Sequence, residues 1–430
     1  MTFLLPLYRA ISTVGAPAIN WYFQQRIKNG KEDRLRFGER KGFACIPRPS
    51  GSLIWVHGAS VGESITVLPL IEKLRQEYPG INILITTGTV SSGALLEKRL
   101  PDEVIHQYVP IDRPPYVRRF LDYWRPDLAL WVESEFWPNL ITMTNDRDIP
   151  QVLINGRISP SSYAEWKYIR GLIRRMLECF DLCMAQGEID SARLCELGAK
   201  QVKTPGNLKY ASPELPADMG NLDFLRQKID TRPCWFAAST HPGEEDIISD
   251  VHFRVSRSFP NLITILAPRH PDRGKKIAEK LALNGHKVSR RSAGESIYSD
   301  TNIYLADTMG ELGLFFRLSP VSFIGKSLVD MGGQNPLEPA RLKSAVLFGP
   351  HMWNFPDITE TLLLSGAAEL VTDSESLAAA LNRLLQDLNL CRSRGEKGQR
   401  VARSHNSILQ NVNHELRPFI ETTQTKYLIS

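Results

Sequence analysis

No CxxC pair occurs in this chain. Its six cysteines (Cys45, Cys179, Cys183, Cys195, Cys234 and Cys391) are scattered, and no histidine or second cysteine pair completes a zinc pattern around Cys179 and Cys183. They read as reduced thiols of a cytosolic protein. No GxxxxGK[ST] loop and no clean GxGxxG are present, so a P-loop kinase or a dehydrogenase lacks its main support. The absence of low-complexity tracts and fixed-period repeats speaks against a solenoid. No apolar run reaches the roughly 20 residues that a spanning helix needs. The stretch from Ala10 to Phe23 has 14. Arg9 interrupts the N-terminal apolar segment and no basic region precedes it, which argues against a cleaved signal peptide.

What remains is a globular composition, 42% hydrophobic and 23% charged over 430 residues, enough for two or three domains. The net charge of +5 is unevenly placed. Residues 1–42 hold eight basic residues against three acids, which leaves 44 of each sign in the remainder. The basic cluster directly follows "MTFLLPLYRAISTVGAPAINWYF". This pattern predicts a helix that lies on a membrane, with Trp21, Tyr22 and Phe23 at headgroup depth and Arg and Lys facing anionic lipid. A core helix of the first domain is the plainer alternative. Basic residues just after the segment favour the cytoplasmic side. Nucleic acid is not among the expected partners.

From residue 50 onward, short β-rich runs alternate with helical patterns. "LIWVHG", "INILITT", "EVIHQYVP", "LALWVES", "PQVLIN" and "LCMAQG" each lead into a helix. Residues 207–223, with few apolar positions, read as a linker. The rhythm restarts with "CWFAAST", "LITILAP", "NIYLAD", "PVSFIGKS" and "AVLFGP". Strands with little polar alternation are covered on both faces, and strand–helix alternation implies parallel sheets. The fold class is therefore α/β, two Rossmann-like domains facing a cleft. The expected boundaries are 1–30 for the membrane segment, 31–212 for the first domain and 213–425 for the second.

In such sheets ligands lie beyond the carboxyl ends of the strands. His57 and Glu63 fall at the end of the first strand, with a helix expected to start at Glu63. Glu133, Ser134 and Glu135 fall at the end of the fourth. In the second half, "STHPGEE", "PRHPDR", "DTMGE", "GKSLVDMGGQNPLE" and "GPHMWNF" follow successive strands. Glycines before helix starts allow close backbone approach, and free N–H groups at helix N-termini suit a phosphate. Arg269 and Lys209 add full charges, and Glu338 is placed to accept two ribose hydroxyls. These residues point to a two-domain, nucleotide-dependent enzyme.

"RFGER", "HGASVGE", "VESEFWPN", "STHPGEE", "PRHP", "DTMGEL", "GGQNPLEPA" and "GPHMWNF", in this order from about residue 30 to about residue 360, resemble the 3-deoxy-D-manno-octulosonic acid (Kdo) transferases. The resemblance implies a GT-B glycosyltransferase of lipopolysaccharide synthesis at the cytoplasmic face of the inner membrane. Its donor would be CMP-Kdo and its acceptor lipid IVA, with inversion at the anomeric centre and no cofactor or metal. Matched motif by motif, Glu63 corresponds to the catalytic base, and Glu133 and Lys209 to transition-state stabilisers. Pro268 and Arg269, Met309, Gly310 and Glu311, and Asn335, Pro336, Leu337 and Glu338 correspond to CMP-binding positions. Two residues depart from the pattern. Gln334 stands where the family commonly has histidine, and Lys326 where it commonly has glycine. Lys326 is left with two roles open, meeting the donor's charge or pointing to solvent.

Other readings fit less of the chain. "GASVG" matches the string GxSxG, which with His270 or His351 would make a serine hydrolase, although a hydrolase elbow needs its histidine late in the chain. Another sugar-nucleotide transferase of the same fold is a second alternative, and a non-enzymatic lipid-binding protein would not need the polar loops of the second domain.

Overall fold

The computed structural model describes residues 4–211, 214–404 and 407–428. The chain forms two compact units. One comprises Met1–Ser212 together with Asn406–Ser430, the other Pro213–His405. The tail corrects the sequence reading, which left residues up to 425 in the second domain. The helix Ser407–Leu428 returns to the first unit, where the Asn413 amide donates to Glu77 and Ser52 Oγ donates to the Thr423 carbonyl.

Each unit is built on one seven-stranded, wholly parallel sheet. The first contains β1 (Leu53–His57), β2 (Asn82–Thr87), β3 (Val104–Tyr108), β4 (Leu128–Val132), β5 (Gln151–Gly156), β6 (Leu182–Ala185) and β7 (Val202–Lys203), in the order β3-β2-β1-β4-β5-β6-β7. The second contains β8 (Cys234–Thr240), β9 (Ile263–Pro268), β10 (Val288–Arg290), β11 (Ile303–Leu305), β12 (Val321–Ile324), β13 (Ala345–Phe348) and β14 (Ala368–Leu370), in the order β10-β11-β9-β8-β12-β13-β14. Strands β7, β10 and β14 have two or three residues and no apolar run, so the alternation pattern did not show them.

The central strands are buried along their length. β1 and β4 carry Trp55 and Trp131 into the first core, and β8 and β12 carry Trp235 and Phe323 into the second. The order of each sheet reverses once, between β1 and β4 in the first unit and between β8 and β12 in the second. Connections leave these neighbouring strands in opposite directions, which opens a crevice at their carboxyl ends.

The N-terminal segment is two helices, α1 (Leu4–Val14) and α2 (Ala16–Lys28). Polar contacts fasten α1 to the first unit. Tyr8 donates to Asp112 at 3.0 Å, Arg9 pairs with Asp146 at 3.2 Å, and Arg113 Nε donates to the Ser12 carbonyl at 2.9 Å. Leu7, Ile11 and Val14 recur at helical spacing on α1 and remain exposed, as do Trp21 and Tyr22 on α2. Among the described residues no helix is long and apolar enough to cross a membrane.

Candidate functional site

The helix after β1, α3, spans Val61–Glu77 and begins two residues before the expected start at Glu63. Ser60 is its N-cap, accepting the Glu63 N–H at 3.3 Å. Glu63 therefore sits in the first turn with its carboxylate folded back over the turn. It accepts the Ala59 N–H at 2.7 Å and the Ser60 hydroxyl at 2.7 Å. This is a capping arrangement with the acid near the positive end of the helix. Gly58 serves the close approach, since a Cβ there would lie 3.3 Å from that of Glu63.

The reversal between β1 and β4 sets Glu133 and Glu135 beside Glu63. Burial first, and then the charges of Glu135 and Glu133, push the Glu63 carboxyl up to about 7. For Glu135, burial works to raise the carboxyl, but the facing His57 ring, and Trp137 Nε1 donating at 2.7 Å, hold it below the usual range. The environment thus separates neighbouring carboxylates, one poised near neutrality and one kept ionised.

Glu133 has φ +58°, an uncommon conformation for a residue with a side chain. Its backbone N–H still pairs with Ile154 in β5, and Lys209 Nζ lies 2.9 Å from its Oε1. Lys209 comes from the segment read as a linker. There, Leu208–Ala211 forms a 3₁₀ turn and a helix begins at Met219. Asn155, also left-handed at φ +54°, accepts the Leu208 N–H at 2.9 Å, and its amide nitrogen lies 3.5 Å from Glu133 Oε1. Asn207 donates to Gln186 and accepts the Lys209 N–H. Asn155 is the positioning residue that sequence reading missed. An asparagine before a glycine at a strand end is a common turn signal, and nothing local reveals its reach to Glu133.

The environment of His57 is now defined. The ring is fully buried, with Nδ1 2.9 Å from Thr86 Oγ1 and Nε2 3.6 Å from Glu135 Oε2, ion-pair range beyond a hydrogen bond. Ser60 is engaged with Glu63 through both its acceptor and its donor. The serine-elbow reading of "GASVG" therefore lacks a free hydroxyl.

In the second unit the matched positions divide. Pro268 ends β9, and the Arg269 N–H donates to the Thr240 carbonyl. Arg269 and Lys326 have no ion-pair partner among the described residues. Lys326 is partly buried, and burial and then the charge of Arg269 lower its ammonium below the ordinary value. Its ammonium is thus near enough to Arg269 for the two charges to interact. Glu244, fully buried, accepts the backbone N–H groups of His241, Lys326, Ser327 and Leu328, tying the loops after β8 and β12 together across the reversal of the sheet. His241 lies beside them, its buried Nε2 without a hydrogen-bond partner among the described residues. Burial, then Lys326, His270 and Arg269, drop it to about 4. Two cationic side chains with no ion-pair partner among the described residues, beside a neutral ring, suit an anion.

Met309 is exposed and Gly310 is left-handed at φ +85°. Glu311 is engaged by Arg291 at 2.5 Å and by the Thr308 hydroxyl, and the Arg291 hydrogen bond, which outweighs burial, holds its carboxyl low. Asn335 Oδ1 accepts the Leu337 N–H at 3.1 Å and opens the helix Leu337–Arg341. Pro336 and Leu337 are buried, so they offer backbone to this loop, while Glu338 is partly buried one residue into the helix. The glycine pair packs against the loop after β13. A Cβ on Gly333 would lie 2.1 Å from Met352 Sδ, and the Asn354 N–H donates to Gly332. Gln334 is partly buried on the same loop.

Residues 35–212 match the family model described as 3-deoxy-D-manno-octulosonic-acid transferase (kdotransferase). A 3-deoxy-D-manno-octulosonic acid transferase of Haemophilus influenzae is 36% identical over 402 residues, covering 90% of this chain and 92% of the relative. One from Rickettsia bellii is 33% identical over 386 residues, covering 90% and 89%. Among solved structures, UDP-GlcNAc 2-epimerase from Neisseria meningitidis bound to UDP-GlcNAc superposes with a TM-score of 0.56 over 84% of this chain and all of that one. At 15% identity that likeness concerns the fold alone.

Proposed function

The chain belongs to the 3-deoxy-D-manno-octulosonic acid transferases, and from that premise we propose how its two units carry out the transfer. A glycosyltransferase of this family moves Kdo in lipopolysaccharide synthesis. The donor is CMP-Kdo, bound by the second unit, and the acceptor is lipid IVA, bound by the first at the cytoplasmic face of the inner membrane. The observation that carries the reading is Glu63, a first-turn carboxylate raised to about 7 and set between the ends of β1 and β4.

An inverting transfer needs one base within hydrogen-bond reach of the acceptor hydroxyl, most efficient when its pKa lies near the working pH. Glu63 removes that proton. The freed oxygen forms a bond to the anomeric carbon of Kdo, and the bond to the phosphate oxygen breaks, its electron pair leaving on CMP. Glu133 meets the positive charge that develops on the sugar, and Lys209, held by Glu133, meets negative charge on the reacting oxygens. Arg269 and Lys326, with the backbone of the Gly310–Glu311 and Asn335–Glu338 loops, hold the departing CMP, so the charge of the leaving group is met by protein groups and no metal is used. The exposed apolar residues of α1 and α2 and the nearby arginines rest on the anionic membrane surface.

Incubation of the purified chain with labelled CMP-Kdo and lipid IVA tests this. Release of CMP with one or more Kdo units on the lipid is the expected result. CMP release without sugar on the lipid, or no reaction, would overturn it.

A further inference from the structure

Between α2 and the loops that follow β1, β2 and β3 lies a cavity of about 650 Å³ in the first unit. Ile19, Tyr22 and Phe23 of α2, Val109 and Ile111 after β3, and Trp137 are among its lining residues and supply apolar wall. Ala59 and Gly88, whose backbones are joined by a 3.0 Å hydrogen bond, also line it. Ala59 is the residue whose N–H holds the Glu63 carboxylate, and Trp137 is the residue whose indole holds Glu135. The apolar space therefore runs up to the loop that carries the proposed base.

The polar groups around the cavity are nearly all spoken for. Asp112 accepts Tyr8 and the N–H groups of Asn139 and Leu140, while Arg26 and Arg40 share Glu32. The Arg113 guanidinium meets the carbonyls of Ser12 and Thr13 and the Tyr116 ring. Most polar groups along these walls are engaged, so the open lining is chiefly apolar. A cavity of this volume falls in the range of small-molecule sites, about 300–1,000 Å³, and its lining suits a hydrocarbon.

We infer that this cavity holds an acyl chain of the lipid acceptor, aligning the sugar hydroxyl with Glu63. The inference rests on the first unit being the acceptor unit. The argument for the acceptor's own chain, as against a bilayer lipid, is the continuity of the cavity with the Ala59–Glu63 loop. A chain anchored there places its headgroup at the base, which a membrane contact alone would not require.

The test uses the full chain, CMP-Kdo, and two acceptors, tetraacylated lipid IVA and the deacylated phosphorylated disaccharide. The readout is the ratio of kcat/KM for the two acceptors. Ala18, on the exposed side of α2, lines the cavity. Ala18→Trp fills it from the surface, and Ala18→Leu fills it less. Displacing two methylenes at about 0.8 kcal/mol each should lower the ratio roughly 10-fold, with Ala18→Leu in between. CMP binding by the second unit checks folding. A wild-type ratio in both active variants, an equal loss on both acceptors, or a loss confined to retention on acceptor-free anionic vesicles would overturn the inference alone. A wild-type chain that transfers Kdo to neither acceptor would overturn the functional reading with it.

Discussion

Lys209 Nζ lies 2.9 Å from Glu133 Oε1, both side chains largely buried, although the two residues belong to segments that look unrelated in sequence. The pair is surrounded by Asn155, Asn207 and Gln186, so its geometry is determined from several sides. Removing one partner of a buried pair leaves an uncompensated charge. Lys209→Ala is expected to destabilise the protein by about 3–5 kcal/mol at the upper end for such pairs. The double change Lys209→Met with Glu133→Gln should restore much of that loss while activity stays abolished. Denaturant melts and turnover on wild type, Lys209→Ala and the double variant measure both.

Glu63→Gln should lower transfer by about 10²–10⁴-fold while CMP binding stays intact, as expected for loss of a general base. Near-normal turnover would remove Glu63 from that role.

The pH dependence has a definite sign. The folded-state value of Glu63, about 7, lies above its ordinary value of 4.5, so the native protein binds the proton more tightly than the unfolded chain. Stability from this group is present below pH 4.5 and is lost as pH rises from there through about 7. The melting temperature of Glu63→Gln should therefore gain on wild type across that window, and a constant gap would count against it. Activity moves the other way, rising as Glu63 ionises. Glu135→Gln removes the larger like charge, so its acid limb should shift to lower pH, with a smaller shift for Glu133→Gln.

Lys326 sits at φ +66° beside Arg269. Lys326→Gly relieves the left-handed conformation and the like-charge contact, and should stabilise the protein by about 1 kcal/mol. If Lys326 meets the donor's phosphate, the same variant should bind CMP roughly 10-fold more weakly, with a shallower dependence on salt. Calorimetric titration at two ionic strengths separates the outcomes, and unchanged affinity would place the lysine outside the donor site.

Ile11 and Val14 are 62% and 80% exposed on α1, away from its polar anchors. The double change Ile11→Glu with Val14→Glu should leave the melting temperature unchanged and sharply reduce sedimentation with anionic vesicles. Deleting residues 1–24 should also shift the protein to the soluble fraction, but it strips Tyr8 from buried Asp112, so a stability loss should accompany it. Vesicle binding equal to wild type would show that this face does not meet the membrane.

Local patterns carried much of this protein. Buried runs without polar alternation announced the long central strands, and glycines and helix starts at their ends marked where chemistry could sit. Glu63, Glu133, Arg269 and the Asn335–Glu338 loop were each visible as strand-end residues. The short strands β7, β10 and β14 were not, since two or three residues hold no period. Lys209 was visible as a charge, in a segment that read as a tether.

The sequence by itself determined the two parallel sheets, the residues at their carboxyl edges and, through eight ordered motifs, the family. Tertiary structure decided what those residues do to one another. The raised carboxyl of Glu63 follows from its burial and then from Glu135 and Glu133 beside it, and they come there because β4 pairs with β1. His57 is tied to Thr86 because β2 pairs on the other side, and Lys209 reaches Glu133 because Asn155 holds its turn. Burial and proximity set proton affinity, and both depend on strand order and on contacts between segments far apart in the chain.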